Sequence, residues 1–192
     1  MTSRDTILAA VRAARPARVA RPDVRAPLSS SASAADDARE FIIATEAAGA
    51  RVVSGARTDL TALIASVYPE RGRQVSVLDL LDANAERMLP HSFADTESFV
   101  CEAVLGVAEN GAVWLPLSRL RHRSALFLAI NVIVVLQREK IVHDLHAAYE
   151  VIDPSAEGFG VFVAGPSKTA DIEQSLVIGA HGAKSVTVLL VE

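Results

Sequence analysis

Cysteine is almost absent: the single residue, Cys101, closes no intrachain disulfide and supplies one of the roughly four thiolates that an iron–sulfur cluster takes. A disulfide framework and a cluster held by this chain alone are thereby excluded, and a reducing, cytoplasmic setting is expected. Aromatic residues make up only 5% of 192 positions. None is interleaved with Arg12, Arg15, Arg18, Arg21 and Arg25 to stack on bases. There is no excess of positive charge either, since the formal net charge is -4; general nucleic-acid binding is not expected. The longest apolar run, 124–136, contains Asn131 and falls short of the roughly 20 residues of a membrane span. Arg12 and Arg15 interrupt the stretch that an export signal would need. What remains is a chain 51% hydrophobic and 22% charged, the balance of a globular domain with a well-filled core.

Thr2 and Asp5 fit a capping box ahead of a short helix over 4–14, with Ile7, Leu8 and Val11 on one face. Residues 15–35 then gather Pro16, Pro22 and Pro27 and Ser29, Ser30, Ser31 and Ser33, the composition of a linker or extended arm. Its arginines suit a solvated arm or the docking of an acidic partner. The expected organisation is an N-terminal helix and arm at 1–35 and an α/β domain at 36–192.

From residue 36 onward helix and strand signals alternate. Asp36 or Asp37 can cap a helix carrying Phe41, Ile42, Thr45 and Ala48 that closes at Gly49. A strand at 51–54 follows, then a helix capped by Thr58 with Leu60, Leu63, Ile64 and Val67 on one side, then a strand at 74–78. Later come strands at 132–136, 160–164 and 185–191, with helices at 142–152 and 170–180. The strands are nearly continuous in apolar residues, as strands covered on both faces are. Between these halves, 100–108 and 112–117 flank Glu109, Asn110 and Gly111, a strong tight-turn signal. The predicted fold is a mixed sheet with helices on both sides and one inserted hairpin.

Several residues have the chemistry for a site. In VAGPSKTADIE, residues 163–173, a strand ends at Gly165 and a loop of Pro166, Ser167 and Lys168 leads to Thr169, placed to cap the next helix and present backbone N–H groups to an anion at the carboxyl ends of the strands. Asp171 and Glu173 in that first turn favour plain capping instead, and the GxxxxGK[ST] spacing of a nucleotide-hydrolysing loop is missing. Glu109 at the strand end suits covalent or acid–base work, or else lies solvated at the rim of its turn. His122 and Arg123 can hold a carboxylate or start a helix. His143 and His146, three apart with Asp144 and Glu150 nearby, have a metal-ligand spacing without a recognisable third ligand; no metal site is expected. His181 and Gly182 read as a helix end. Asp95, Glu97 and Glu102 are too scattered to pair, and Cys101 reads as a small core residue.

A family resemblance joins these pieces. GVAENGAVWLP at 106–116, His122-Arg123, IVHDLHAAYE at 141–150 and GPSKTADIEQSLVIGAHGAKSVTVLLV at 165–191 resemble the LUD-domain family, of the lactate utilization protein C type, from about residue 36 onward. Ala183 stands where many members have proline. The resemblance implies a three-layer, Rossmann-like α/β domain of the NagB/RpiA/CoA-transferase type. It also implies a part in oxidising L-lactate to pyruvate with iron–sulfur partner proteins, which would hold the clusters, this chain having no intrinsic cofactor. A small anionic ligand is expected at Glu109, Asn110, Gly111, His122, Arg123, Gly165, Pro166, Ser167, Lys168 and Thr169. Ala108-Glu109-Asn110-Gly111 is also similar to the Ser-Glu-Asn-Gly segment of one group of CoA-transferases, whose glutamate is the nucleophile, with Ala108 replacing the serine. Two rival functions stand beside this one: an independent acyl-CoA or sugar-phosphate enzyme using Glu109, and a scaffold whose arm docks on a partner. Homo-oligomer formation is left open.

Overall fold

The computed structural model describes residues 2–17, 19, 33–67, 72–78, 89–170 and 176–192. The first helix, α1 (Ser3–Ala13), begins with the Thr2–Asp5 capping box read from the sequence and buries none of its residues. Most of the proline- and serine-rich arm lies outside the described residues. α2 (Ala34–Ala47) starts earlier than Asp36: Ser33 is its cap, and Asp36 is the reciprocal partner in a second capping box. After the C-cap Ala48, Gly49 takes φ +91° and turns the chain into β1 (Arg51–Gly55). Thr58 does not cap a helix. It lies in a short 3-10 turn, Arg57–Asp59, that leads into α3 (Leu60–Val67).

The remaining elements are β2 (Arg73–Ser76), β3 (Thr96–Glu102), β4 (Leu105–Val107), β5 (Ala112–Pro116), α4 (Leu117–Leu120), α5 (Arg123–Leu128), β6 (Asn131–Gln137), β7 (Ile141–Val142), α6 (Leu145–Val151), α7 (Pro154–Glu157), β8 (Gly160–Val163), β9 (Lys168–Ala170), β10 (Leu176–Ile178) and β11 (Ser185–Val191). Five strands form one sheet in the order β1-β11-β6-β3-β2, every pair parallel. A separate four-stranded sheet runs β7-β4-β5-β8, and β9 pairs with β10 as an antiparallel ribbon.

Side-chain alternation sorts the core. On one face of the parallel sheet Val100, Ile133, Val135, Leu189 and Val191 pack against Leu60 and Ile64 of α3. On the other, Phe99, Cys101, Val132, Val134, Leu136, Val188 and Leu190 meet Phe41 of α2 and Val113 and Leu115 of β5. The outer face of the second sheet, with Leu105, Val107 and Trp114, is closed by Ala148 of α6. The α/β class is thus as expected, while the hairpin is not an insert in a single mixed sheet; it is the centre of a second one.

Three further boundaries differ from the sequence reading. The expected strand at 100–108 is two strands in two sheets, with the break at 103–104, where the N–H groups of Ala103 and Val104 donate to Val135 and Trp114. The expected helix at 142–152 begins later, because residues 141–142 pair with β4 and Asp144 caps α6 by accepting from the Ala147 N–H. In place of the helix at 170–180 stand β9 and β10; Asp171 and Glu173 lie outside the described residues. No described helix is long and apolar enough to cross a membrane.

Candidate functional site

A cleft of about 480 Å³ opens at the carboxyl edge of the parallel sheet. Arg57 and Thr58 enter it from the turn after β1, Leu60 and Thr61 from α3, Val77 and Leu78 from beyond β2, Glu102 from the last position of β3, and Ser118, Arg119 and Arg121 from α4 and its exit. This is the crevice where open parallel sheets hold ligands. Its charged centre is Glu102, whose side chain is only 14% exposed. Arg57 Nη1 lies 2.6 Å from one carboxylate oxygen and Arg119 Nη1 3.5 Å from the other. Both arginines are about half exposed, 46% and 55%, so each ion pair is worth little and is readily exchanged.

Arg121 adds a backbone signal. It has φ +54° and ψ -47°, and it is the one non-glycine residue with positive φ among the described residues. Such a conformation costs on the order of 1–3 kcal/mol, a cost that tends to persist where a side chain must be aimed. Ser118, next to it in the lining, donates its N–H and hydroxyl to Glu157 of α7 at 3.3 and 3.1 Å.

The residues expected from sequence are placed elsewhere. Glu109 is exposed, and its carboxylate accepts the Leu145 N–H at 3.2 Å, so it helps cap α6. The Asn110 side-chain oxygen accepts from the Ala112 N–H at 3.0 Å, and the Gly111 carbonyl accepts the Thr45 hydroxyl at 3.2 Å. Gly165 sits on the carbonyl of Ala48, Pro166 faces Gly49, and Lys168 Nζ donates to the Ala48 carbonyl at the end of α2. The Ser167 N–H donates to the Ala183 carbonyl.

Both loops therefore meet on the last turns of α2, next to the amino ends of the parallel strands. The loop at 165–168 follows β8 of the second sheet, so it does not stand at the carboxyl edge, and Thr169 lies inside β9 rather than capping a helix. His122 precedes α5 without capping it; its ring packs 5.1 Å from Phe93, and its Nε2 is buried without a partner. Arg123 stacks over Phe159 at 5.6 Å. At the predicted helix end, Gly179 carries the positive φ, +76°, whereas Gly182 rests against Ser167. Sequence reasoning passed over Arg57, Arg119 and Arg121 and dismissed Glu102. The available signal was the RLRHR spacing at 119–123 together with a carboxylate at a strand terminus.

His143 and His146 do not share a helix, since His143 precedes the cap Asp144. His143 Nδ1 lies 2.9 Å from Asp37 Oδ1 of α2, and one ligand atom each of Asp37, Glu40 and His143 fall within 4.8 Å of one another. The hydrogen bond to Asp37 holds the imidazole above its ordinary pKa, opposed by desolvation and helped by the charges of Asp37, Glu40 and Asp144. His143 therefore takes a proton more readily in the folded chain than in the unfolded one. The pair adds stability below the unfolded pKa, about 6.5, and that stability is lost as pH rises through the higher folded value. Asp37→Asn is expected to lower the urea midpoint at pH 5.5 clearly more than at pH 8.5. An equal loss at both pH values would show that the bond does not depend on the imidazolium.

A family model described as the LUD domain matches residues 30–191. Lactate utilization protein C of Bacillus licheniformis is 30% identical over 141 residues, covering 69% of this chain and 57% of that protein. The protein of the same name from Bacillus subtilis is 30% identical over 138 residues, 69% and 56% of the two chains. That of Oceanobacillus iheyensis is 33% identical over 92 residues, 45% and 40%. The chain thus spans about half the length of the curated relatives it matches. The crystal structure of a DUF162 family protein from Deinococcus radiodurans superposes with a TM-score of 0.66 at 15% identity, covering 84% of this chain and all of that one, and so shares the fold.

Proposed function

Because the chain belongs to the LUD domain family, we propose that it serves lactate utilization as a component without a cluster of its own, binding a small anionic ligand at the carboxyl-edge cleft. The relatives' names supply the process. The observation that carries the site is the cleft itself, a concavity lined by Arg57, Arg119 and Arg121 in which the first two pair with the Glu102 carboxylate. Guanidinium groups are the donors that match carboxylate and phosphate oxygens in pairs. Because Arg57 and Arg119 are held by Glu102 in half-exposed ion pairs, an incoming anion exchanges one carboxylate contact for another at little cost.

Oxidation of lactate to pyruvate releases an electron pair. In this reading the pair leaves through partner proteins that carry iron–sulfur clusters. The chain's own residues do not fit a cluster, since its one thiol, Cys101, is fully buried and a cluster takes about four.

The test is lactate-dependent dye reduction in extracts of the native host with the gene intact, deleted, and restored in trans. Deletion is expected to bring the activity to background and restoration to recover it. Activity that survives deletion unchanged would remove the chain from lactate oxidation.

A further inference from the structure

The cluster of Asp37, Glu40 and His143 contributes nothing to the described lining of the cleft. Asp37 and Glu40, three apart on α2, project from one face of the helix. His143 meets them from the residue that follows β7. Its backbone is fixed on both sides: its carbonyl accepts the Glu109 N–H at 2.9 Å, and its neighbour Asp144 caps α6. Local spacing offers His143 no third ligand. Its partners in space come from another part of the chain, Asp37 being 106 positions away.

The donor set has the chemistry of a metal-binding triad and nearly its geometry. A nitrogen and an oxygen each about 2.1 Å from one zinc ion, at tetrahedral or octahedral angles, stand about 3.0–3.4 Å apart. His143 Nδ1 and Asp37 Oδ1 stand 2.9 Å apart, so they already mark one edge of such a shell. The separations to Glu40 are no more than 4.8 Å. They close by rotation of Glu40, which is exposed and whose carboxylate makes no hydrogen bond or ion pair among the described residues.

Burial divides the labour among the three. The Asp37 side chain is only 13% exposed and is held in place, whereas that of His143 is 32% exposed and Glu40 faces solvent, so one side of the triad stays open to water. Among the described residues, the charges that act on His143 are those of Asp37, Glu40 and Asp144, all negative. Two carboxylates and a neutral imidazole offset the charge of a divalent cation. We propose that Asp37, Glu40 and His143 bind a divalent transition-metal cation, with zinc the best match to one nitrogen and two oxygen donors, and with water or an oxygen of a small ligand completing the shell. The cation takes the place of the proton between His143 and Asp37, which is released, and ties α2 to the segment that leads into α6. Magnesium, which is bound through oxygen and keeps its waters, gains little from the imidazole.

The experiment is equilibrium dialysis of the metal-free full chain against zinc or magnesium chloride at pH 7.5, with thermal midpoints measured with and without each metal. The wild type is compared with His143→Ala, Glu40→Gln and His146→Ala. One zinc ion per chain is expected to bind at micromolar concentration or below and to raise the midpoint, while magnesium at the same concentration does neither. Partners that only support a metal ligand are worth about 10–100-fold in affinity, so loss of His143 or Glu40 is expected to weaken zinc binding at least about tenfold. His146→Ala, which removes a nearby imidazole outside the triad, leaves binding unchanged. Should His143→Ala fail to fold, Glu40→Gln still decides, because that carboxylate has no folded-state partner to lose. The proposal is overturned if zinc binds no more tightly than magnesium, if folded Glu40→Gln binds zinc as the wild type does, or if His146→Ala loses as much affinity as the triad variants. None of these outcomes bears on the lactate role, which the dye-reduction test judges separately.

Discussion

Gly111→Ala is expected to destabilise the protein by more than about 3 kcal/mol, a large share of the roughly 5–15 kcal/mol that holds a domain together. Gly165→Ala should match it. Gly111 has φ +67°, and a methyl group there would lie 2.3 Å from the Thr45 amide nitrogen and 2.5 Å from its Cα. At Gly165, φ +72°, it would lie 2.2 Å from the Ala48 carbonyl oxygen. Both obstructions are backbone atoms of α2 or its cap, which cannot rotate aside, so either the helix or the segment that carries the glycine, the hairpin for Gly111 and the loop after β8 for Gly165, must move. Gly158→Ala is the control: φ is +64°, yet nothing lies within 4 Å of the added carbon. Only the left-handed backbone then opposes alanine, at roughly 1–2 kcal/mol. Urea unfolding with unchanged slope reads all three. Equal losses in the three variants would show that backbone conformation, not contact with α2, makes these glycines necessary.

These glycines also show what was legible in the chain. Asn110-Gly111 between two apolar runs announces a hairpin, and β4 and β5 are paired as that signal requires. What the turn docks against is not local. The contact with Thr45 joins positions 66 residues apart, and beside it the Glu109 carboxylate accepts the Leu145 N–H at the start of α6, 36 residues away. The same distinction explains the segment 168–178, where a run such as Leu176-Val177-Ile178 suits a helix face or a strand equally well. Pairing with 168–170 settles it, and pairing is a tertiary choice.

The cleft was the least legible part. Its arginines come from the turn after β1 and from the end of α4, and its carboxylate from β3. They converge because β1 and β3, parallel strands separated by β11 and β6, end at the same edge of the sheet. No spacing in the sequence encodes that order. The more familiar signals, a Gly-Pro-Ser-Lys loop and a turn glutamate, lie against the end of α2 and the start of α6.

Cys101 is expected to react with a thiol reagent at least about a thousandfold more slowly in the native protein than in urea, since each factor of ten requires about 1.4 kcal/mol of opening. The side chain is fully buried on β3, packed in the core shared with Val134, Leu136 and Phe41. Burial also pushes the thiol far above its ordinary pKa, so the reactive thiolate is suppressed even where a reagent could reach it. Labelling should follow the unfolding curve. Fast labelling of the folded protein would mean that β3 opens locally, and the thiol would then be available for redox chemistry. Slow labelling assigns Cys101 to packing alone, so Cys101→Ala should leave lactate-dependent dye reduction intact despite some loss of stability. Electrons drawn from lactate would then need cluster ligands on another protein, and this chain's contribution would lie with the arginines at the carboxyl edge of its sheet.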